Sequence, residues 1–365
     1  MIELTGRYTA AKIFTDTPDE TTIAQIQQLI DHSFAANSKV RIMPDCHAGA
    51  GCVIGTTLMV GDKVVPNLVG VDIGCGVAVV RVEREIDLKR LDDFIREKIP
   101  FGFRNNETAQ THFDVSGLYC GASIRQADYD LALGSLGGGN HFIEVNHDTA
   151  GDLWLVVHSG SRNLGKQVAD YYQHLAAELC PERLEIHRDL CYLTGAFKDH
   201  YLTDMRTVQG YATLNRVTMV RRIVTELLGV PLTGLVKFQT VHNYIDMQNI
   251  LRKGAVSARA GEPFIVPINM RDGSLLCVGK GNYEWNQSAP HGAGRLMGRK
   301  EAKRKLNMED FTASMEGIYT TSVTPDTLDE SPMAYKAMEE IVANIEPTAD
   351  ITDVLKPVYN FKAGD

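Results

Sequence analysis

The chain has 365 residues, of which 44% are hydrophobic and 23% charged, so it can bury the core of one large globular domain or two. Its 37 basic and 46 acidic residues give a net charge of −9, which argues against a strong non-specific nucleic-acid binder but leaves room for a local basic groove. No apolar run reaches the ~18 residues of a membrane span, and the start "MIELTGRYTAAKIFTD" lacks the basic and apolar regions of a signal peptide. A cytoplasmic protein with no membrane partner is expected.

In chain order, glycine clusters punctuate apolar, strand-like runs: "HAGAGCVIG", "VDIGCG", "LGGGNHF", "HSGSRNLG" and "PHGAGR". Glycine permits positive φ and close backbone approach, so such turns can crowd around one centre. The run "VGVDIGCGVAVV" (69–80) reads as buried strand, and "LWLVVHSGSR" as a strand ending in a polar turn. Helical periodicity runs from about 162 to 228, broken around Leu193–Gly195, and returns at "GRKEAKRKL" and "MAYKAMEEIVANI". The expected architecture is α+β, one domain over 1–365, with a helical insertion at about 162–228.

The seven cysteines (46, 52, 75, 120, 180, 191 and 277) are odd in number, scattered and without a CxxC pair, as in reduced thiols of a cytosolic chain. Asp72 and Cys75 raise a sharper question. A bare carboxylate in an apolar run costs several kcal/mol or more unless something pairs with it, and the partner that suits Asp and Cys together is a metal ion. Five of the eleven histidines sit in similar glycine or apolar contexts: His47, His141, His158, His242 and His291. Carboxylate with imidazole suits Mn, and thiolate with imidazole suits Zn, Co or Fe. A thiolate can also bridge two ions. A structural zinc site would show closely spaced Cys and His pairs, and these residues lie tens of positions apart. In "SAPHGAGR", His291 between small residues, with Arg295 four positions later, suits phosphate. It could bind phosphate or attack it as a neutral imidazole. A plain turn before a basic helix is the alternative.

The motifs "MPDCHAGAGCVIG", "VGVDIGCG", "GGGNHFIEV", "VHSGSRNLG", "VHNYID", "KGAVSARAGE", "SAPHGAGR" and "PVYNFKAGD" occur in the order found in the RtcB family of GTP-dependent RNA ligases. The resemblance runs from about Met43 to Lys362. It implies an α+β RtcB-like fold with a central metal and nucleotide cleft. It also implies two Mn²⁺ ions per chain bridged by Cys75, with Asp72 and His141 on one and His158 and His242 on the other. His291 matches the nucleophile that takes GMP from GTP. Asn140, Glu144, Asn269, Ser274, Gly292, Gly294, Arg295, Tyr335 and Lys362 fall where the family contacts the nucleotide, and Asp45 matches an acidic residue at the guanine pocket. Arg162 and Asn163 are expected to face RNA phosphate.

The implied activity joins RNA 3′-phosphate or 2′,3′-cyclic phosphate ends to 5′-hydroxyl ends through a GMP-histidine intermediate. The substrates would be broken tRNA or rRNA, with an archease-like activator as a further partner. Two departures, "PINMRDG" for the family's "PGSMG" and Ala289–Pro290 before His291, suggest a divergent bacterial-type subfamily. The alternative that uses the same ligands is a binuclear metal phosphoesterase with no covalent nucleotide.

Overall fold

The computed structural model describes residues 1–121 and 126–363, so Gly364 and Asp365 of the C-terminal motif lie outside the described residues. Two large sheets carry the architecture. One is six-stranded, in the order Ile2–Thr5, Ala10–Ile13, Val40–His47, Ile54–Met59, Ile250–Lys253 and Asn243–Ile245. The other is eight-stranded. Its path runs Pro263–Asn269, Gly273–Gly279, Ala349–Lys362, Phe142–His147, Leu153–Ser159, Gly76–Val82 and Lys237–Val241, and Tyr319–Thr320 pairs beside Ala349–Lys362. Together with the helices this is the α+β class expected.

The central strands of the second sheet are β-branched because both of their faces are covered. Val77, Val79 and Val156 pack with Ile265 and Leu355. Their alternating neighbours Val80, Leu155 and Val157 pack with Met219 and Ile223. One strand thus feeds two cores by the two-residue period of its side chains.

Register then gathers the site. Phe142 lies opposite His158, His158 opposite Val77, and Gly76 opposite Val241. These pairs are antiparallel, so His141, His158, Cys75 and His242 all fall at one end of four neighbouring strands.

The stretch read as strand from Val69 is strand only from Gly76. Gly70 (φ 95°) and Gly74 (φ 75°) adopt left-handed backbone, which a strand cannot continue through. The Cys75 amide closes the turn onto the Asp72 carbonyl at 3.2 Å. Asp72 and Cys75 therefore lie on a turn that ends where the sheet begins.

The helical region is present as helices Arg162–Leu179 and Gly195–Arg221, the latter running into a wider π-type turn at Arg222–Leu227. Its break is longer than the one expected around Leu193–Gly195. After Cys180 the chain turns away to pair Leu193 with Val64. The third helical segment is shorter than its periodicity suggested. The helix is Met338–Ile345, and Tyr335 and Lys336 precede it in extended or turn backbone.

Helix Gly195–Arg221 holds the site loops through two buried polar side chains. Arg216 donates to the carbonyls of Gly74 (2.8 Å) and Ser159 (2.9 Å). Asn215 accepts from the Gly134 and Ser135 amides and donates to the carbonyls of Ser135 and Gly160. Arg216→Met keeps the volume but leaves both carbonyls unpaired in the interior. It should lower unfolding stability by about 3 kcal/mol, read from urea denaturation; an unchanged midpoint would remove Arg216 from this role.

Candidate metal and nucleotide site

At the gathered strand ends the side chains form a string. Cys75 Sγ lies 3.5 Å from His141 Nε2 and 3.3 Å from His158 Nε2. Beyond His141, its Nε2 is 3.1 Å from Asp72 Oδ2. Beyond His158, its Nε2 is 3.4 Å from His242 Nε2. Cys75 thus sits between an Asp–His pair and a His–His pair.

The tautomers follow from the outer nitrogens. His141 Nδ1 donates to the Leu136 carbonyl at 2.9 Å and His158 Nδ1 to the Asn140 carbonyl at 3.2 Å. Both Nε2 lone pairs are left facing the thiol. Burial, reinforced by neighbouring imidazoles, pulls the pKa values of His158 and His242 well below the usual range. Burial pushes the Cys75 thiol up, Asp72 adds to this, and the Arg216 guanidinium opposes it. Burial would also raise Asp72, but the adjoining His141 ring and a hydrogen bond from the Ser161 amide hold it well below the usual carboxylate range.

Sulfur, imidazole and carboxylate donors that face one another with few protons to share fit a divalent cation. His242 Nδ1 is buried and has no partner among the described residues, so this ring is held by packing rather than by a carbonyl. Gly160 completes the cradle: a Cβ there would stand 2.0 Å from Asp72 Oδ1. Asp72 is less buried than expected from an apolar run, its side chain being 31% exposed.

His291 follows strand Ser288–Pro290, which pairs with Ala255–Ser257. Its Nδ1 donates to Asp45 Oδ2 at 2.6 Å, and its backbone amide donates to the same oxygen at 3.1 Å. Asp45 is fully buried. The imidazole is therefore fixed with Nδ1 on Asp45 and Nε2 as its outer nitrogen, 4.8 Å ring to ring from His242. Asp45 backs the imidazole and is not among the residues lining the cleft in front of it.

That cleft has a volume of about 120 Å³. His158, His242 and His291 line one part of its wall, and Asn140, Glu144, Asn269, Gly292, Gly294, Tyr335 and Lys362 line others. Around Tyr335 the polar groups centre on Glu330. This carboxylate receives Tyr335 Oη (2.6 Å), Arg299 (2.7 Å), Arg295 (3.2 Å) and Lys362. Burial opposes ionisation of Glu330, yet Lys362, Arg299 and Arg295 hold its pKa at about 2. Arg295 also donates to the Asp329 carbonyl at 2.6 Å, so its guanidinium braces the pocket wall. Glu144 differs: burial pushes it up to about 7, against the pull of Lys362 and Asn360.

Other expected residues are placed differently. Ser274 is fully buried in strand Gly273–Gly279 and is not among the lining residues. The Asn269 side chain binds within its own turn, accepting from the Arg271 and Asp272 amides. Arg162 and Asn163 line a second cavity, which reaches the string from the Asp72 and His141 side.

Glu330, Arg299, Asn215 and Arg216 were not singled out in the sequence. A signal exists for the last two: they occupy the apolar stripe of their helix, between Ala212 and Met219.

Cys75→Ala should remove nearly all bound divalent metal, because its sulfur touches both halves of the string. Gly160→Ala should displace the Asp72 carboxylate and lower metal content with the circular dichroism spectrum unchanged. Elemental analysis checks both. Full metal retention by Cys75→Ala would contradict the shared-sulfur arrangement.

The sequence profile described as "tRNA-splicing ligase RtcB" matches residues 25–124 and 121–363. RNA-splicing ligase RtcB of Escherichia coli K12 is 30% identical over 366 residues, covering 88% of this chain and 90% of the relative. The tRNA-splicing ligase RtcB of Thermococcus kodakarensis is 26% identical, covering 82% of each. RNA-splicing ligase RtcB of Mycobacterium tuberculosis is 27% identical, covering 82% of this chain and 90% of the relative. With the profile covering most of its length and the motif histidines gathered at one sheet edge, the chain belongs to the RtcB family.

Proposed function

We propose that this chain is an RNA ligase that uses GTP and Mn²⁺ to join 3′-phosphate or 2′,3′-cyclic phosphate ends to 5′-hydroxyl ends. The observation that carries the reading is His291, held by Asp45 with one nitrogen free, at the junction of the cleft and the metal-ligand string. Asp72 and His141 would hold one ion, His158 and His242 the other, and Cys75 both. Bound there, the ions would supply positive charge to neutralise the phosphoryl oxygens.

In the first step His291 Nε2 attacks the α-phosphorus of GTP. A P–N bond forms and pyrophosphate leaves. Asp45 keeps the proton on Nδ1 and balances the positive charge that develops on the ring. An RNA 3′-phosphate oxygen then attacks the GMP phosphorus, the P–N bond breaks, and the RNA carries a 3′-diphosphate-linked guanosine. The 5′-hydroxyl oxygen of the second end attacks the RNA phosphate, its proton goes to solvent, and GMP departs. A cyclic end is first opened by water.

The base choice rests on Glu144 and Lys362 on the cleft wall. A carboxylate accepts from guanine N1–H and its amino group, and an ammonium donates to O6. Adenine reverses the N1 and position-6 pattern.

Denatured protein should carry label after incubation with Mn²⁺ and α-labelled GTP, and none after ATP. His291→Ala should abolish the label. Asp45→Asn should slow labelling by roughly 10–100-fold. If metal-loaded protein takes no label but hydrolyses cyclic phosphate ends, the phosphoesterase reading replaces this one.

Glu144 yields a pH test. Its pKa of about 7 lies above the usual carboxylate range, so between that range and pH 7 the folded chain keeps a proton that the unfolded chain releases. Stability then falls as pH rises through this window. Glu144→Gln should raise stability at pH 8 by on the order of 1–3 kcal/mol and weaken GTP binding. In the parent chain GTP affinity should fall as pH drops below about 7. A flat GTP affinity from pH 6 to 8 would remove Glu144 from base recognition.

A further inference from the structure

The second cavity, with a volume of about 790 Å³, opens at the Asp72–His141 end of the string. Asp72 and His141 form its inner wall, and Arg162, Asn163 and Lys166, from the first turns of helix Arg162–Leu179, flank it. Phe103 stands at its rim and is 98% exposed. Single exposed apolar side chains are common and need no function. This one differs in how it is held.

Phe103 is at the tip of a pinned turn. The Gly102 amide donates to the Gly137 carbonyl at 2.9 Å, and the Gly102 carbonyl accepts from Arg162 Nη2 at 2.6 Å. The Arg104 amide closes the turn onto the Phe101 carbonyl at 3.3 Å. Phe101 beneath it packs edge-on against Phe361 with centroids 5.3 Å apart, and the Arg104 guanidinium caps its other side. The backbone is thus fixed to the loop that carries His141, while the Phe103 ring is left bare. Arg162, through Gly102, acts as a positioning residue for that ring.

A rigid aromatic face, cationic and amide side chains and a helix N-terminus, leading to metal ligands, make the pattern of a single-stranded nucleic-acid end site. Phosphate is taken by charge and backbone amides, and a base by stacking. Of the two RNA ends in the proposed reaction, only the 3′-phosphate end is a terminal anion. We propose that the second cavity receives this end, with its phosphate toward Asp72 and His141 and its terminal nucleobase stacked on Phe103. The platform makes the enzyme prefer an unpaired terminal nucleotide, with little preference for which base. The inference rests on the RNA-end chemistry proposed above, but not on the guanylylation step.

The test is a two-way cycle on metal-loaded full-length protein without GTP. The probe is a short, fluorescently tagged 3′-phosphorylated oligoribonucleotide, with its terminal nucleoside either normal or abasic. The parent chain should bind the abasic probe roughly tenfold more weakly. Phe103→Ala should bind the normal probe roughly tenfold more weakly and show no further loss with the abasic one. Phe103→Trp should bind as the parent does. The proposal is overturned if Phe103→Ala binds the normal probe as tightly as the parent, or if the abasic penalty persists undiminished in that variant. GMP labelling of the same preparations should be equal in all three. Label absent throughout, with the cycle as expected, would count against the ligase reading and leave this inference standing.

Discussion

The site depends on how the ends of four strands are held together where regular hydrogen bonding stops. Backbone groups at strand ends lack ladder partners, and in the interior each unpaired one costs about 1–3 kcal/mol. Asn215 and Arg216 supply those partners from one helix. They bind the turn before Cys75, the loop before His141 and the residues just after His158. Because both side chains are themselves fully buried, they cannot exchange these bonds for water. The loops are therefore locked to one helix and to one another, and the string of ligand atoms inherits that geometry.

Charge is distributed unevenly around this frame. Near the string, buried imidazoles are kept neutral and the Cys75 thiol is held protonated by its surroundings alone. Such a site favours a cation that can displace the thiol proton, with Arg216 stabilising the resulting thiolate. Around Tyr335 the balance reverses. Glu330 is ionised and surrounded by Arg295, Arg299, Lys362 and Tyr335, a closed network that gives the cleft rigid walls. Between them Glu144 retains a titration near neutrality, because burial outweighs its polar neighbours.

Much of the candidate site is legible in the sequence, for a physical reason. Cys75, His141, His158 and His242 abut strands rich in β-branched residues, and three of the four also abut glycine turns. That combination is unusual enough to single them out. His291 is legible through the small residues around it. Two things are not legible. The strand boundary at Gly76 is hidden because hydrophobicity alone does not report the left-handed backbone of Gly70 and Gly74. Glu330 carries no motif of its own, and Asn215 and Arg216 show only as polar residues on the apolar stripe of their helix. Arg295 and Asp45 show the converse: each sits beside the expected chemistry, yet one braces a wall and the other orients an imidazole.

The most direct test is anomalous diffraction at the manganese edge from crystals grown with Mn²⁺. Two peaks are expected, one on each side of Cys75 Sγ. One would lie within bonding distance of Asp72 and His141, the other of His158 and His242. Peaks that do not share the Cys75 sulfur, or manganese bound away from these residues, would contradict this arrangement.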